Sequence, residues 1–352
     1  MGDGRHLYVD TRAFIKVGDK YIFKGYTYQG TYEYDDINCE LNIIPELSRP
    51  FPWSSIDYYG GVAVGEEYVV FPPNYENKYV TVLDLLKKEY MYFKIEANCA
   101  YKTAITVNDN IYFIPETSLE LNDLVKFNMN SGNVTEYRIE GLENSGESIQ
   151  CFSSSICRVG NKIYLPCTTS GKICEIDFGW DKARVIQIPG VDCCISSINY
   201  ENSKYWFTGD SDAIYVGDFD KIKKIELEEC SSNKLWKFRF SSAKRIGNYL
   251  YYSPVYYNWC IRINICTDVY EKVFEIENDN VVWEIFELGK NRLYATSSGV
   301  ERKCVQNYVI DINGYVTSNN EEFSADYLYS REFMCERTSH SLQKYIEAIV
   351  NA

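Results

Sequence analysis

Short alternating runs of apolar and polar residues fill most of the chain, and turn-forming residues separate them. Val80-Thr81-Val82-Leu83 is one such run, and the segment from Tyr90 to Ile95 is another. Alternation with a period of two residues is typical of half-buried β-strands. No helical pattern lies between these runs, which argues against alternating α/β units. The pattern therefore predicts an all-β protein.

One phrase recurs every forty-odd residues: an apolar residue, then Gly or Asn, a polar residue, and a Tyr-rich apolar run. Gly, Asn and Asp accept the positive φ of a tight hairpin, so each copy predicts a turn between two antiparallel strands. The copies, the fifth of them degenerate, are Val17-Gly18-Asp19, Val64-Gly65-Glu66, Val107-Asn108-Asp109, Val159-Gly160-Asn161, Glu201-Asn202-Ser203, Ile246-Gly247-Asn248 and Leu288-Gly289-Lys290.

A second hairpin turn follows each phrase, and Asp or Asn marks it. Each repeat then contains four antiparallel strands, which is the composition of a β-propeller blade. Such a sheet buries both faces only by stacking on its neighbours, so we expect the repeats to close into a ring. The second turns are predicted at Asp35-Asp36, Asp84, Asn128 to Gly132, Asp177, Asp218, Asn264, and Asp311 to Gly314.

The predicted fold is a seven-bladed β-propeller in one domain, residues 1–337, with a short C-terminal α-helix at 338–352. Leu342, Tyr345 and Ile349 recur at helical spacing, and this helix packs either on the propeller or on a partner. Segments 6–9 and 323–335 flank the array, and either could add a strand that closes the ring. The blades are expected at about 11–44, 53–95, 101–139, 151–188, 193–227, 238–276 and 281–318.

The repeats resemble the broad kelch and tryptophan–aspartate-repeat propeller superfamily across roughly residues 11 to 318. The resemblance is architectural, because the kelch double glycine occurs once, at Gly60-Gly61, and the Gly-His and Trp-Asp signatures are missing. It implies a propeller that binds ligands on one face, and it implies no particular activity.

The net charge of −14 disfavours nucleic acid and anionic membrane surfaces as partners. No apolar run is long enough for an ordinary membrane-spanning helix, so membrane insertion is not expected. The N-terminus lacks the apolar core of a signal peptide, which predicts a cytoplasmic protein with reduced, mostly buried cysteines. The small serines that begin several first strands are expected to fit the crowded axis.

Histidine is scarce, and both copies, His6 and His340, lie outside the repeats. Mechanisms that use a histidine base or histidine metal ligands are therefore disfavoured. No phosphate-binding or dinucleotide motif occurs, so we expect no cofactor and no metal. Carboxylates at strand ends should share one rim of the propeller: Asp57, Glu116, Glu120, Asp192, Asp210, Asp212 and Glu284.

Aromatic residues are frequent in the loops that should open on that rim. Rigid aromatic rings often anchor peptides, proteins or sugars, although packing between blades also explains many of them. The leading hypothesis is a non-catalytic recognition or scaffold module that binds a peptide, protein or glycan at an aromatic, acidic rim. The alternative is a propeller hydrolase or lyase that uses carboxylate or Tyr groups on a glycan or small molecule. The candidate ligand-binding residues are Trp53, Tyr75, Tyr101, Trp236, Tyr256, Tyr257 and Trp283.

Overall fold

The structure is a computed structural model that describes most of the chain between residues 11 and 322. Strands make up its regular structure, and no helix occurs among the described residues, so none there could cross a membrane. The predicted C-terminal helix at 338–352 lies outside the described residues. Those are 11–25, 31–35, 37–38, 40–44, 46, 50, 60–73, 78–96, 100–118, 124–137, 147–151, 156–179, 182–228, 238–276, 280–289, 291–298 and 304–322.

The strands of the first four blades follow one another along the chain. Blade 1 contains β1 (Thr11–Val17), β2 (Lys20–Gly25), β3 (Thr31–Asp35) and β4 (Glu40–Ile44). Blade 2 contains β5 (Val62–Val64), β6 (Tyr68–Phe71), β7 (Tyr79–Asp84) and β8 (Glu89–Lys94). Blade 3 contains β9 (Tyr101–Val107), β10 (Asn110–Pro115), β12 (Leu124–Asn128) and β13 (Val134–Tyr137). Blade 4 contains β15 (Cys157–Val159), β16 (Lys162–Pro166), β17 (Lys172–Asp177) and β18 (Lys182–Gln187).

Three further blades and one short ribbon complete the described strands. Blade 5 contains β19 (Ile195–Glu201), β20 (Lys204–Gly209), β21 (Ala213–Gly217) and β22 (Ile222–Glu226). Blade 6 contains β23 (Phe240–Ile246), β24 (Tyr249–Pro254), β25 (Trp259–Asn264) and β26 (Val269–Glu275). Blade 7 contains β27 (Val281–Glu287), β28 (Arg292–Ser298), β29 (Cys304–Asp311) and β30 (Val316–Glu322). The ribbon pairs β11 (Thr117–Ser118) with β14 (Ile149–Gln150).

Each blade is a sheet of four antiparallel strands that pair in chain order. The predicted seven-bladed propeller is therefore confirmed. The second residue of the recurring phrase has positive φ in all seven copies, from 53° at Asn108 to 62° at Gly160, as a tight turn requires. Both candidate closing strands, at 6–9 and 323–335, lie outside the described residues.

The first strand of each blade lies nearest the axis. First strands of neighbouring blades contact one another, as β19 contacts β23 and β23 contacts β27. Outside this inner layer, hydrophobic clusters fill the space between successive sheets. Trp206 of blade 5 is fully buried against blade 6, and Phe178 of blade 4 packs 4.5 Å from Tyr112 of blade 3. Burial of both sheet faces is the main source of the ring's stability.

Blades 1 and 7 meet at the seam that closes the ring. The ring of Phe14 in β1 lies 5.0 Å from Phe286 and 6.1 Å from Tyr294. The backbone N–H of Gly289 donates a hydrogen bond to the hydroxyl of Tyr21. An exposed Lys16–Glu287 ion pair also crosses the seam, and such pairs contribute little. Aromatic packing is therefore the principal contact at this closure.

Serines near the axis join neighbouring first strands. Ser196 Oγ donates to the carbonyl of Phe240 at 2.6 Å, and Ser241 Oγ donates to the carbonyl of Val282 at 3.4 Å. Both serines are buried. Small side chains at this position let the strands approach, and their hydroxyl groups are satisfied by the next blade. The serines at 54–55 and 153–155 lie outside the described residues.

A side-chain hydrogen bond stabilises the turn between the third and fourth strands of every blade. The Oδ1 atom of the Asp or Asn that ends the third strand, or directly follows it in blade 5, accepts backbone N–H groups two to four residues later, which is the geometry of an Asx-turn. Asn264 Oδ1, for example, accepts from Cys266 N at 2.9 Å and Thr267 N at 3.3 Å. The predicted second turns are thus confirmed, at Asp35, Asp84, Asn128, Asp177, Asp218, Asn264 and Asp311.

Phe286→Ala should weaken the seam. Removing a buried ring leaves a cavity between the first and last blades, and we expect the free energy of unfolding to fall by about 3–5 kcal/mol. Chemical denaturation measures this change. As the control, Tyr315→Ala removes a ring that is 76% exposed and should change stability by less than about 0.5 kcal/mol. Equal stability of the two variants would contradict the importance of the seam.

Asn264→Ala should destabilise the protein by about 1 kcal/mol, because two backbone N–H groups lose their acceptor. Asn264→Asp retains an oxygen in the same position, and Asp occupies the equivalent position in most blades, so its stability should stay close to that of the native protein. Thermal melting of both variants at neutral pH tests the pair. A similar loss in the two variants would show that the turn does not depend on this acceptor.

Candidate functional site

The linkers between blades and the loops between second and third strands lie together on one side of the ring, called here the linker face. They share that side because antiparallel strands alternate in direction. The linker that enters blade 5 shows how they are joined. Cys193 O accepts Gly171 N of blade 4 at 2.8 Å, and Cys194 O accepts Asp210 N of blade 5 at 3.2 Å. The linker is therefore bonded to loops on both sides.

Equivalent backbone hydrogen bonds join other linkers to the loops on either side. The face thus forms a belt of main-chain hydrogen bonds, which fixes the positions from which its side chains project. The bonds are Tyr101 N to Pro73 O at 3.1 Å, Glu116 N to Ala100 O at 2.8 Å, Arg239 N to Gly209 O at 3.0 Å, and Val255 N to Arg239 O at 2.9 Å.

The β11–β14 ribbon extends this belt across blades 3 and 4. Strand β14 pairs with β11, which belongs to the loop between the second and third strands of blade 3. Ile149 of β14 also forms a β-bridge with Cys167 in the corresponding loop of blade 4. Thr168 N donates to Ser148 O at 2.9 Å beside that bridge. The ribbon therefore connects two blades on the linker face in addition to their packed sheets.

A polar cluster lies where the linker enters blade 5. The hydroxyl of Tyr215 donates to Asp192 Oδ1 at 2.5 Å, and Ser211 Oγ donates to that hydroxyl at 3.3 Å. Asp210 Oδ1 accepts the backbone N–H of Cys194 at 2.9 Å. The hydrogen bond from Tyr215 lowers the pKa of Asp192 below its usual value. Asp192 therefore stays ionised at neutral pH on the exposed surface.

The neighbouring thiol is not a nucleophile in this arrangement. Burial raises the pKa of Cys193 to about 11, so the thiol is protonated at neutral pH. Burial also raises the pKa of Cys157 and of Cys167 to about 12. These cysteines behave as small apolar side chains in the packing between blades.

A second cluster lies between the loops of blades 5 and 6. Arg239 Nε is 2.6 Å from Asp212 Oδ1, and the guanidinium carbon lies 4.4 Å from the centre of the Tyr256 ring. A guanidinium between a carboxylate and an aromatic face combines an ion pair with a cation–π contact. Asp212 and Tyr256 are both partly exposed, so this stack reaches the surface of the linker face.

Among the described residues on this part of the face, carboxylates outnumber cations. Asp192 and Asp210 form no ion pair within the described part of the chain, and Arg239 neutralises only Asp212. The region therefore has a negative potential that favours a cationic ligand. In the part of the chain that the structure describes, no three His, Cys, Asp or Glu side chains come together as metal ligands would.

Tyr101 and Tyr257 belong to the packed interior. Tyr101 is 1% exposed and meets Phe113 edge-on, and Tyr257 is 2% exposed and donates to the carbonyl of Glu228 at 3.3 Å. Tyr256 is the candidate whose described ring reaches the linker face.

The remaining aromatic candidates lack a described side chain. Trp53, Tyr75 and Trp236 lie outside the described residues, and Trp283 is a residue of β27 whose side chain is not described. Ligand binding by the seven aromatic residues stays a prediction.

The sequence predicted the positions of several carboxylates but not the residues that pair or hydrogen-bond with them. Asp192, Asp210 and Asp212 were expected on one rim, and they do lie on the linker face. Arg239 and Tyr215 were not expected there. Arg239 directly precedes a first strand, as Cys194 does in blade 5, and alignment of the repeats on that position could have found it. Asp57 and Glu120 lie outside the described residues.

Comparison with known proteins gives the fold alone. No protein-family model matches the chain, and no curated protein matches its sequence. The chain resembles the crystal structure of the computationally designed Ika8 protein, with a TM-score of 0.53 and 11% identity over 91% of this chain and 88% of that one. It also resembles U3-55K, with a TM-score of 0.54 and 9% identity over 83% of this chain and 89% of that one.

Tyr215→Phe should raise the pKa of Asp192. The hydroxyl stabilises the ionised carboxylate, so Asp192 binds a proton at a lower pH while the hydroxyl is present, and without it the pKa should return towards the ordinary value of an aspartate. Carboxyl carbon shifts followed by nuclear magnetic resonance during an acid titration measure the change. Tyr200→Phe, on the opposite side of the ring, is the control. An unchanged Asp192 pKa in Tyr215→Phe would contradict the described hydrogen bond.

Proposed function

We propose that this protein is a non-catalytic recognition module that binds a peptide or protein segment on the linker face of blades 4 to 6. The observation that carries the proposal is the belt of backbone hydrogen bonds, which holds Asp192, Asp210 and Asp212 on one rigid, partly exposed surface. A surface of fixed shape and charge binds without paying the entropic cost of ordering itself.

The charge of this surface favours a basic segment as the partner. Two of its carboxylates, Asp192 and Asp210, form no ion pair in the described part of the chain, although Lys224 attracts Asp192 at longer range, and the whole protein carries a net charge of −14. Complementary charge speeds association and disfavours acidic competitors. Tyr256 would add aromatic contact area beside the charged centre.

The alternative, a carboxylate-based enzyme, has less support from the described carboxyl groups than the recognition module has. A glycosidase-like pair needs one carboxylic acid with a raised pKa to protonate the leaving group. In the described residues, every carboxyl group with a shifted pKa is shifted downwards, at Glu33, Asp35, Asp84, Glu147, Glu175 and Asp192. Such groups suit ion pairing and charge recognition better than proton donation.

Two further predictions remain part of the proposal. A cytoplasmic location is consistent with the composition, and its basis is the sequence alone. The proposed relationship to the kelch and tryptophan–aspartate-repeat proteins is supported only by the shared propeller architecture. At this level of sequence identity, structural similarity is evidence for the fold and not for common ancestry or function.

A binding comparison between two triple variants tests the function. The first carries Asp192→Asn, Asp210→Asn and Asp212→Asn on the linker face. We expect the full-length native protein to bind basic members of an immobilised library of short random peptides, and the variant to lose at least about tenfold in affinity because its attractive charges are gone. Asn at position 210 keeps an oxygen for the N–H of Cys194.

The matched control removes the same number of charges from the opposite side of the ring, with Asp19→Asn, Glu66→Gln and Asp109→Asn. These three residues are exposed in the first turns of blades 1, 2 and 3. The control should bind as the native protein does. Absence of peptide binding, or an equal loss in both variants, would overturn the proposed site. Binding on a parallel glycan array that does not depend on the three linker-face carboxylates would also count against it.

A further inference from the structure

The backbone of Arg239 is fixed where the chain enters blade 6. Its N–H donates to Gly209 O of blade 5 at 3.0 Å, and its carbonyl accepts Val255 N of blade 6 at 2.9 Å. The residue is thus tied to the loops on both sides, while its long side chain extends across the seam between them. These two bonds fix the backbone position from which the side chain extends towards Asp212 and Tyr256.

This approach leaves the ion pair imperfect. Arg239 Nε lies 2.6 Å from Asp212 Oδ1, but its N–H does not point at that oxygen, and among the described residues neither atom has a hydrogen-bond partner. The Arg239 side chain is only 13% exposed. A charged pair that is largely removed from water gains most when its donors and acceptors are aligned. Asp212 and Tyr256 can therefore bind a guanidinium, but the N–H of Arg239 is not aligned with the Asp212 carboxylate for a hydrogen bond.

A buried hydroxyl with no partner lies in the same seam. Thr208 is 1% exposed, and its Oγ1 has no hydrogen-bond partner within the described part of the chain. Trp206, two residues earlier in β20, packs in the cluster between blades 5 and 6, so the side chain of Thr208 faces that side too. Thr208 directly precedes Gly209, whose carbonyl accepts the hydrogen bond from Arg239 N, and it lies two residues before Asp210. It offers an acceptor that Arg239 does not reach.

We infer that the seam between blades 5 and 6 is a binding site for an arginine side chain of the partner, and that Arg239 occupies it in the free protein. The inference rests on the proposed function. A partner arginine enters from outside the face and is free of the two backbone bonds that hold Arg239. Its five N–H groups can align with the carboxylate of Asp212 and with the Thr208 hydroxyl, while its plane stacks on Tyr256. The side chain of Arg239 turns out to solvent.

The full-length protein and its Arg239→Ala variant test this site with three synthetic peptides. Each is a blocked Gly-Gly-X-Gly-Gly sequence in which X is arginine, lysine or citrulline, and titration is followed by nuclear magnetic resonance. R239A should bind the arginine peptide about tenfold more tightly than the native protein, because the internal competitor is gone. Lysine should bind more weakly, since it lacks the planar fork, and neutral citrulline should not bind. Adding Asp212→Asn to R239A should remove the gain.

Two controls keep the outcome interpretable. Arg245→Ala removes an exposed arginine that pairs with Glu201 on the opposite side of the ring, and it should leave peptide affinity unchanged. Arg239→Gln is a second variant that retains the length of the side chain, and it should show the same gain if R239A proves unstable.

The results separate the inference from the proposed function. If neither Arg239 variant gains affinity while the triple asparagine variant still loses library peptides, the arginine site is wrong and the recognition face remains. Equal binding of the arginine and citrulline peptides would also overturn the arginine site. Loss of all peptide binding, by the native protein and the variants alike, would overturn both proposals.

Discussion

Each four-stranded sheet of this protein has two apolar faces, and both must be covered. A single sheet between two neighbours satisfies that demand, but the first and last sheets of an open row would not. The contacts of Phe14 with Phe286 and Tyr294 resolve the problem by bringing the ends of the row together. Every other feature depends on this closure, because it sets the axis around which the loops and linkers converge. The inner serine hydroxyl groups meet the carbonyls of the next blade because neighbouring first strands converge on that axis.

Closure also accounts for the character of the linker face. A linker that crosses from one sheet to the next passes between two loops at fixed distance, so its peptide groups find partners on both sides. The polar side chains of Asp192, Asp210 and Arg239 therefore project from a backbone that is held by its own hydrogen bonds. Side chains at such positions can differ widely in chemistry without disturbing the ring, which explains how one fold can carry many recognition surfaces.

The repeat pattern was sufficient to predict the fold, because turn chemistry is local. Asn108 and Gly160 occupy positions where positive φ is required, and their spacing gave the number of blades. The site was predicted less completely. Asp192 and Asp210 could be placed on one rim from their position at strand ends, but contact between Arg239 and Asp212 depends on how two blades are rotated against each other. Whether an aromatic side chain such as Tyr257 is buried likewise depends on how the blades pack in the assembled propeller. Its position in a loop could not show whether it packs between blades or lies exposed on the surface.

The turns between third and fourth strands have a consequence for how the surface can evolve. Five of them use Asp and two use Asn, yet in each the Oδ1 atom accepts one or two backbone N–H groups from residues two to four positions later. Exchange between these two residues changes the charge by one unit and leaves the loop conformation intact. Single exchanges of this kind, on the side opposite the linker face, can therefore change the isoelectric point of the protein one charge at a time. Solubility and colloidal repulsion are in this way tunable independently of whatever the linker face recognises.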